Sequence, residues 1–375
     1  MSEQNRWIGI LSVRRPGSKS FRGNHENFHD ICEMGRRLGL NVAVYLAEGM
    51  LGSEERIEAY LQRRVAGKRV WKKTTLPYPS VVYNRVPDRK AEVLPAVQRA
   101  KKKLAERGIP MFNHSFFDKR QLSEWLAGAK ETAGYLPETE EITDAAQLDS
   151  WFGRSPLLYV KPVDGKAGDG ILQVQRLRNG TGGWQVVAQQ NGRRTRTLYA
   201  TQSEAAHAVW NRVRGRAFLI QQGIDLATCR RRKFDLRMLV QKNQHGTWKV
   251  TGVGARVADA DGITTHVPNG GEIAPARTTL QTAFGNERGD EILSKARETA
   301  VVFARTLEQC VRREGGLLGE ISLDVGVDTS GNLWFFEANA KPMKFDEPRI
   351  RAMSLMRLLR YCEHLCRTRK KAPGV

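Results

Sequence analysis

The chain has 375 residues and carries 61 Lys+Arg against 40 Asp+Glu, a formal net charge of +21; apolar residues make up 40% and charged residues 27%, the balance of a globular protein. No uninterrupted apolar run reaches the roughly 18 residues that a membrane-spanning helix needs, and the polar start Met1–Arg6 leads into the short run Ile8–Val13, which reads as a first strand rather than a signal peptide. The length suggests about two or three domains, and the charge argues for polyanionic company.

Taken in chain order, Trp7–Val13 reads as a buried strand. Glu26–Leu38 repeats apolar residues at Phe28, Ile31, Met34 and Leu38, a helical stripe that Gly39 stops. Asn41–Leu46 and Tyr78–Tyr83 read as strands, and Pro95–Arg107 as a basic helix ended by Gly108. Such alternation predicts a small α/β domain over residues 1–112. Asp118–Ala127 is the next helix. Leu157–Val160, Ile171–Arg176, Trp184–Ala188, Thr195–Leu198 and Ala217–Gln222 follow as strands, with a helix over Thr201–Val213 capped by Thr201 or Ser203. The last third offers strands at Phe234–Gln241, Trp248–Val257, Gly319–Val327 and Leu333–Ala338, interrupted by a long helix over Asp290–Arg313. Five scattered cysteines (Cys32, Cys229, Cys310, Cys362, Cys366) read as reduced thiols of a cytosolic protein. Cys362, His364 and Cys366 lack further ligands nearby and are expected to pack rather than bind metal.

Two segments carry candidate chemistry. In Lys161-Pro162-Val163-Asp164-Gly165-Lys166-Ala167-Gly168-Asp169-Gly170, three glycines follow a strand that ends in a lysine. Glycine lets backbone N–H groups approach a phosphate. The same composition also makes a plain hairpin turn, and neither the P-loop spacing nor a third glycine after Gly252-x-Gly254 is present. The second segment is Gly319–Asp328, where Ile321, Leu323, Val325 and Val327 alternate with polar residues, then the turn Thr329–Asn332 and the return run Leu333–Asn339. If Asp328 opposes Leu333, Asp324 opposes Glu337, and Asn339 shares the face of Glu337. Two carboxylates in direct opposition repel unless a cation lies between them, and oxygen donors of this kind suit Mg²⁺. Solvated acids on an edge hairpin are the other reading. Arg237, in Phe234-Asp235-Leu236-Arg237, offers a bidentate grip on phosphate or carboxylate. Asn269 with two following glycines reads as a turn or as a further amide of the site.

The ordered set Phe112-Asn113, Asp118-Lys119, Lys161-Pro162 with its glycine loop, Phe234-Asp235-Leu236-Arg237, Asn269-Gly270-Gly271, Gly319–Asp324 and Trp334-Phe335-Phe336-Glu337-Ala338-Asn339-Ala340-Lys341-Pro342 resembles the ATP-grasp superfamily, and more closely its YheC/YheD-type endospore coat-associated members. The resemblance covers about residues 110–365. It implies an α/β ATP-grasp fold with a pre-ATP-grasp domain over 1–112, a first lobe with a glycine-rich lid over 113–220, a second lobe over 221–366 and a basic tail over 367–375. It implies that Lys119 and Lys161 contact the α- and β-phosphates of ATP. Gly165, Lys166, Gly168 and Gly170 would cover the triphosphate, and Gln221, Gln222 and Ile224 would line the adenine hinge. Asp324, Glu337 and Asn339 would hold Mg²⁺. Arg237 would steady the γ-phosphate or an acyl-phosphate, with Asn269 and Lys341 as further contacts. The activity implied is an ATP-dependent carboxylate–amine ligase working through an acyl-phosphate, cytoplasmic or associated with the spore coat.

Two competing readings stand beside it. One is a non-catalytic nucleotide-binding coat protein on the same fold. The other is a nucleic-acid binder, which charge alone motivates, since no zinc-finger, basic-zipper or RNA-binding signature is present. Residues 1–115 carry 22 basic and 11 acidic residues, a net +11 that the ATP contacts do not absorb. That excess predicts an acidic peptide, polymer or coat partner docking there.

Overall fold

The computed structural model describes residues 6–368 apart from 51, 53–54, 164–168, 178–181, 191–192, 261, 264, 266–269 and 346, and the backbone is organised around three sheets. The first holds β1 (Trp7–Ser12), β2 (Asn41–Leu46), β3 (Arg56–Val65), β4 (Lys68–Pro77), β5 (Val81–Asn84) and β6 (Met111–Phe112), in the order β4-β3-β2-β1-β5-β6. Pairs β1–β2, β1–β5 and β5–β6 are parallel; β2–β3 and β3–β4 are antiparallel. Helix α1 (His25–Arg37), capped by the Asn24 side chain, buries Phe28 and Ile31 on one face. The short α2 (Arg89–Glu92) precedes α3 (Pro95–Glu106), whose Val97, Ala100 and Leu104 pack on the other face. The β3–β4 hairpin was not legible in the sequence. Cations fall on both of its faces and hide the period-2 pattern. Its turn is Ala66-Gly67, both with positive φ (48° and 76°), the two-residue geometry that matches strand twist.

The second sheet follows α4 (Lys119–Ala127) and α5 (Lys130–Ala133). It contains β7 (Thr139–Glu141), β8 (Leu157–Pro162), β9 (Ile171–Arg176), β10 (Trp184–Gln190), β11 (Arg193–Tyr199) and β12 (Phe218–Gln222), ordered β11-β10-β9-β8-β12-β7 and antiparallel throughout. Helices α6 (Ala145–Arg154) and α7 (Gln202–Val213) cover one face through Leu148, Trp151, Phe152, Ala205 and Val209. Thr201 caps α7 in a full capping box with Glu204.

The third sheet contains β13 (Thr228–Cys229), β14 (Arg232–Lys242), β15 (Trp248–Val257), β16 (Glu272–Pro275), β17 (Glu320–Val327) and β18 (Leu333–Asn339), ordered β16-β15-β14-β17-β18 with β13 on β14. Helices α8 (Ala276–Phe284) and α9 (Asn286–Arg313) fill one face: Phe303, Ala304 and Leu307 meet Phe234, Leu236, Met238, Ile321, Leu323 and Val325. The opposite face therefore carries Asp235, Arg237, Leu239 and Gln241 of β14, Arg256 of β15, Glu320, Ser322 and Asp324 of β17, and Glu337 and Asn339 of β18. The C-terminal helix α10 (Pro348–Thr368) joins the core of the first sheet through Leu355, Leu358, Leu359 and Tyr361, and also lies against β14 and β15. Gly252 permits that approach, since a Cβ there would stand 2.5 Å from Ile350.

Asn113 ties the first sheet to the third. Buried and in the left-handed region at φ 56°, it donates from Nδ2 to the Ala340 carbonyl (2.6 Å). Its Oδ1 accepts from the Gly319 and Glu320 N–H groups (3.0 and 3.3 Å). Beside it, Lys101 and Lys341 both pair with the buried Glu92 at 2.5 Å.

Candidate nucleotide and metal site

A cleft of about 190 Å³ lies between the second and third sheets. Its walls come from β8, β12 and the start of α4 on one side and from β14, β15, β17 and β18 on the other. Lys161, the penultimate residue of β8, lines it. Its Nζ donates to Gln221 Oε1 (2.5 Å), and Gln221 Nε2 donates in turn to Thr139 Oγ1 (2.8 Å). Burial, and next the nearby Lys119 cation, bring the Lys161 ammonium down to about 8, with Glu337 pulling the other way. Lys119 opens α4 behind the Asp118 cap, and its Nζ donates to the Pro162 carbonyl (3.4 Å). Both ammonium groups are thus fixed by the strand that leads into the glycine loop.

The acidic wall is built by strand register. Asp324 on β17 stands opposite Glu337 on β18. The turn itself pairs Val327 with Leu333, one step away from the Asp328–Leu333 opposition expected from the sequence; a bulge after Asp324 then skips Phe336 and restores the Asp324–Glu337 pair. Burial, then the Asp324 charge, raise the Glu337 carboxyl above its ordinary range, while Lys119, Lys161 and Arg256 draw it back. Asp324 is gripped by Arg256 (Nη2–Oδ2 3.0 Å) and more loosely by Arg237 (Nη1–Oδ1 3.4 Å). Arg256 also forks onto Asp235, Nε–Oδ1 2.9 Å and Nη2–Oδ2 2.6 Å, and Thr265 Oγ1 donates to Asp235 Oδ2 (2.7 Å). Asp324 and Glu337 are hard oxygen donors on one face, with Asn339 two residues on. That donor set fits Mg²⁺. Among the described residues no group of three His, Cys, Asp or Glu side chains is gathered, so such an ion would complete its shell from the amide, substrate oxygens and water.

The apolar part of the cleft is made by Tyr159, Leu136, Ile224, Ile263, Phe335 and Phe336. With the Gln221 and Gln222 edges beside it, this is a slot with polar groups along one rim, a form that suits a planar heterocycle.

The profile of the YheC/D-like ATP-grasp family matches residues 108–365. The chain belongs to the YheC/YheD-like ATP-grasp family. It is 30% identical over 367 residues to the endospore coat-associated protein YheD of Bacillus subtilis strain 168, covering 96% of this chain and 77% of YheD. The fold is similar to the ATP-grasp ligase PsnB solved with precursor peptide PsnA2 and AMPPNP, at a TM-score of 0.51 and 15% identity over 99% of both chains. It is also similar to D-alanyl-alanine synthetase A of Vibrio cholerae, at a TM-score of 0.50 and 14% identity over 97% of this chain and 98% of that one. The α/β architecture with these neighbours is the ATP-grasp fold.

Within this family member, the cleft brings together Lys119, Lys161, Gln221, Gln222, Ile224, Asp324 and Glu337. Gly170 sits at the entry to β9 with φ 74°, its N–H donating to the Gln189 carbonyl (2.8 Å). Gly165, Lys166, Gly168 and Asn269 lie outside the described residues, as does most of the basic tail. Arg237 is not on the cleft wall but one step along the sheet face, its guanidinium over the Phe345 ring at 5.9 Å. Asn339 shares that face beyond the lining. Lys341 is displaced from its expected phosphate contact. It is buried against Glu92 and the Val86 carbonyl (3.2 Å), over the Phe116 ring at 4.4 Å, and does not line the cleft.

Sequence reasoning missed Arg256 as the partner of both Asp235 and Asp324. The signal was present: in the Phe234–Gln241 and Trp248–Val257 pair, an arginine interrupts the apolar run Val253–Val257 directly opposite Asp235. The aromatic lining by Tyr159 and Phe336 was missed as well, because strand alternation alone does not say which sheet faces which.

Proposed function

We propose that the chain is an ATP- and Mg²⁺-dependent ligase that joins a carboxylate to an amine. The observation that carries this reading is the convergence, in one cleft, of two lysines on one wall and the opposed pair Asp324–Glu337 on the other. ATP would lie with its base in the Tyr159–Phe336 slot and its phosphates between Lys119 and Lys161. Asp324, Glu337 and Asn339 would hold the magnesium, which supplies charge neutralisation to the phosphate oxygens. The segment 113–220 would serve as the first lobe and 221–366 as the second, with 1–112 as the pre-ATP-grasp domain.

The chemistry asks these side chains for positioning and charge, not for covalent catalysis. A substrate carboxylate oxygen attacks the γ-phosphorus, the bond from γ-phosphorus to the β-bridging oxygen breaks, and ADP leaves with the electron pair. The neutral amine nitrogen then attacks the acyl carbon, the carbon–oxygen bond to phosphate breaks, and inorganic phosphate leaves with the electron pair as the amine nitrogen gives up one proton. Lys161 and Lys119 hold the triphosphate in line. Arg256 fixes Asp324 in the orientation the site needs, and Arg237, beside Asp324 at 3.4 Å, would steady the acyl-phosphate.

YheD is described as an endospore coat-associated protein, and PsnB was solved with a precursor peptide. Coat association and a peptide carboxylate are accordingly the first location and substrate class to examine. Among the described residues no helix is long and apolar enough to cross a membrane. The test is ADP release from ATP and Mg²⁺ over a panel of acidic peptides and amino acids. The reading expects an acid- and amine-dependent rate that Glu337→Gln lowers at least about a hundredfold; release of AMP and pyrophosphate in place of ADP would overturn it.

A further inference from the structure

The excess charge of the first sheet is sorted by face. On the face toward α1, three of the four hairpin cations are neutralised: Arg64 pairs with Glu33 (2.8 Å), Arg69 with Asp30 (3.0 Å) and with Glu26, and Lys73 with Glu58 (2.8 Å), while Arg56, at the far end of β3, donates to the Thr75 carbonyl (2.8 Å). The same face turns Trp71 onto His29, stacked at 4.3 Å. On the other face, beyond the part that α3 covers, the cross-strand pairs are Leu61 with Lys72, Arg63 with Val70, and Val65 with Lys68. Each pair sets one apolar residue beside one cation. Arg63, Lys68 and Lys72 are exposed, and among the described residues none has an acidic partner. Val65 and Val70 are 60% and 36% exposed. β4 is also the edge strand of its sheet, ten residues long, and no described strand pairs with its outer side.

We propose that the outer edge of β4 is a docking strand for an acidic peptide, which adds to the sheet in extended form. The unpaired N–H and C=O groups of an edge strand bind a peptide main chain, and side-chain pockets at alternate positions choose the sequence. A peptide strand lying beside β4 places every second side chain on the face of Lys68, Val70 and Lys72. The complementary pattern is therefore acid, spacer, β-branched apolar, spacer, acid. Edge lysines alone would be explained as a guard against self-pairing. That guard does not need valines exposed between the cations, and two copies of this edge would oppose like charges. A nucleic-acid strand is disfavoured for a separate reason: the aromatic of the hairpin's distal half, Trp71, is turned to the other face and held by His29, leaving no stacking platform among the cations. The inference is independent of the reading of the cleft.

The experiment is fluorescence polarisation of the full chain with a labelled peptide STETVTETS, beside its lysine counterpart STKTVTKTS. The proposal expects binding of the acidic peptide only. Affinity should fall at least about tenfold in Lys68→Glu/Lys72→Glu, a variant at exposed positions that leaves ATP binding unchanged. It should fall comparably when alternate peptide nitrogens are methylated, since main-chain pairing is then blocked, and amide exchange over residues 68–76 should slow on binding. Absence of binding at low salt, equal affinity of the charge-reversed variant, or indifference to N-methylation with equal competition by single-stranded DNA or anionic vesicles would each overturn it.

Discussion

Asp324 and Glu337 face each other directly across β17 and β18, and Asp324 is gripped by arginine, at 3.0 Å from Arg256 and 3.4 Å from Arg237. Glu337 is left with a carboxyl that burial and its neighbour push upward. An acid with a raised folded pKa binds its proton more tightly in the folded state. It therefore costs stability as pH rises from the ordinary carboxylate range through that raised pKa. Glu337→Gln is expected to raise the thermal midpoint of the nucleotide-free protein at pH 7. The same variant should lose the additional stabilisation that Mg²⁺ gives in the presence of ATP, read by differential scanning calorimetry.

Lys161 is expected to set the pH dependence of nucleotide binding. Its ammonium, brought down to about 8 by burial and Lys119, is charged at pH 7 and largely neutral at pH 9. ATP affinity should fall as pH rises through 8, approaching about tenfold per pH unit beyond it. Stability of the free protein should move the other way. A lysine with a depressed folded pKa destabilises below that value, and the deficit fades as pH rises from about 8 toward the unfolded value. Isothermal titration at pH 7, 8 and 9 reads the first effect. Lys161→Arg, whose charge does not titrate in this range, should flatten it.

Glu92 holds two buried ammonium groups, Lys101 and Lys341, each at 2.5 Å. Burial alone would raise its carboxyl, but the two lysines more than offset that and keep it low. Glu92→Gln leaves both cations without a counter-charge and should destabilise by about 3–5 kcal/mol, measured by urea unfolding. A neutral effect would mean that the pair is solvated in solution.

Asn113 combines a left-handed backbone with three side-chain hydrogen bonds to buried main chain. Asn113→Ala should cost about 1–3 kcal/mol for each buried group left unpaired, plus the loss of the tolerance for positive φ that asparagine has and alanine lacks. Asn113→Gly removes the strain and keeps the hydrogen-bond loss, so its unfolding free energy should fall between the two.

Much of this architecture was legible because local signals agreed with tertiary ones. Trp248–Val257 and Ile171–Arg176 have the bounds read from alternation, and Thr201 caps its helix as expected. The Asp324–Glu337 opposition was expected from a turn register one step off the observed one; the turn pairs Val327 with Leu333, and a bulge that skips Phe336, which no sequence pattern announces, restores the pair. What stayed hidden depends on contacts between distant elements. α10 closes the core of a sheet some 300 residues earlier in the chain, as with Leu358 against that sheet's core. Lys341 looks like one more phosphate lysine in a Glu-x-Asn-x-Lys run, yet Glu92, 249 residues away, takes its charge. Arg256 was overlooked because an arginine inside an apolar strand becomes meaningful only once Asp235 is known to stand opposite.

Activation of a carboxylate as an acyl-phosphate is the step that separates a working ligase cleft from a nucleotide-binding one. It is tested most directly by offering hydroxylamine as the amine, with ATP, Mg²⁺ and a library of peptide and amino acids, and weighing the products by mass spectrometry. At least one acid is expected to yield its hydroxamate in equal amount with ADP, omission of Mg²⁺ should abolish both, and Glu337→Gln should do the same. ADP formed without any hydroxamate, or a hydroxamate accompanied by AMP, would contradict it.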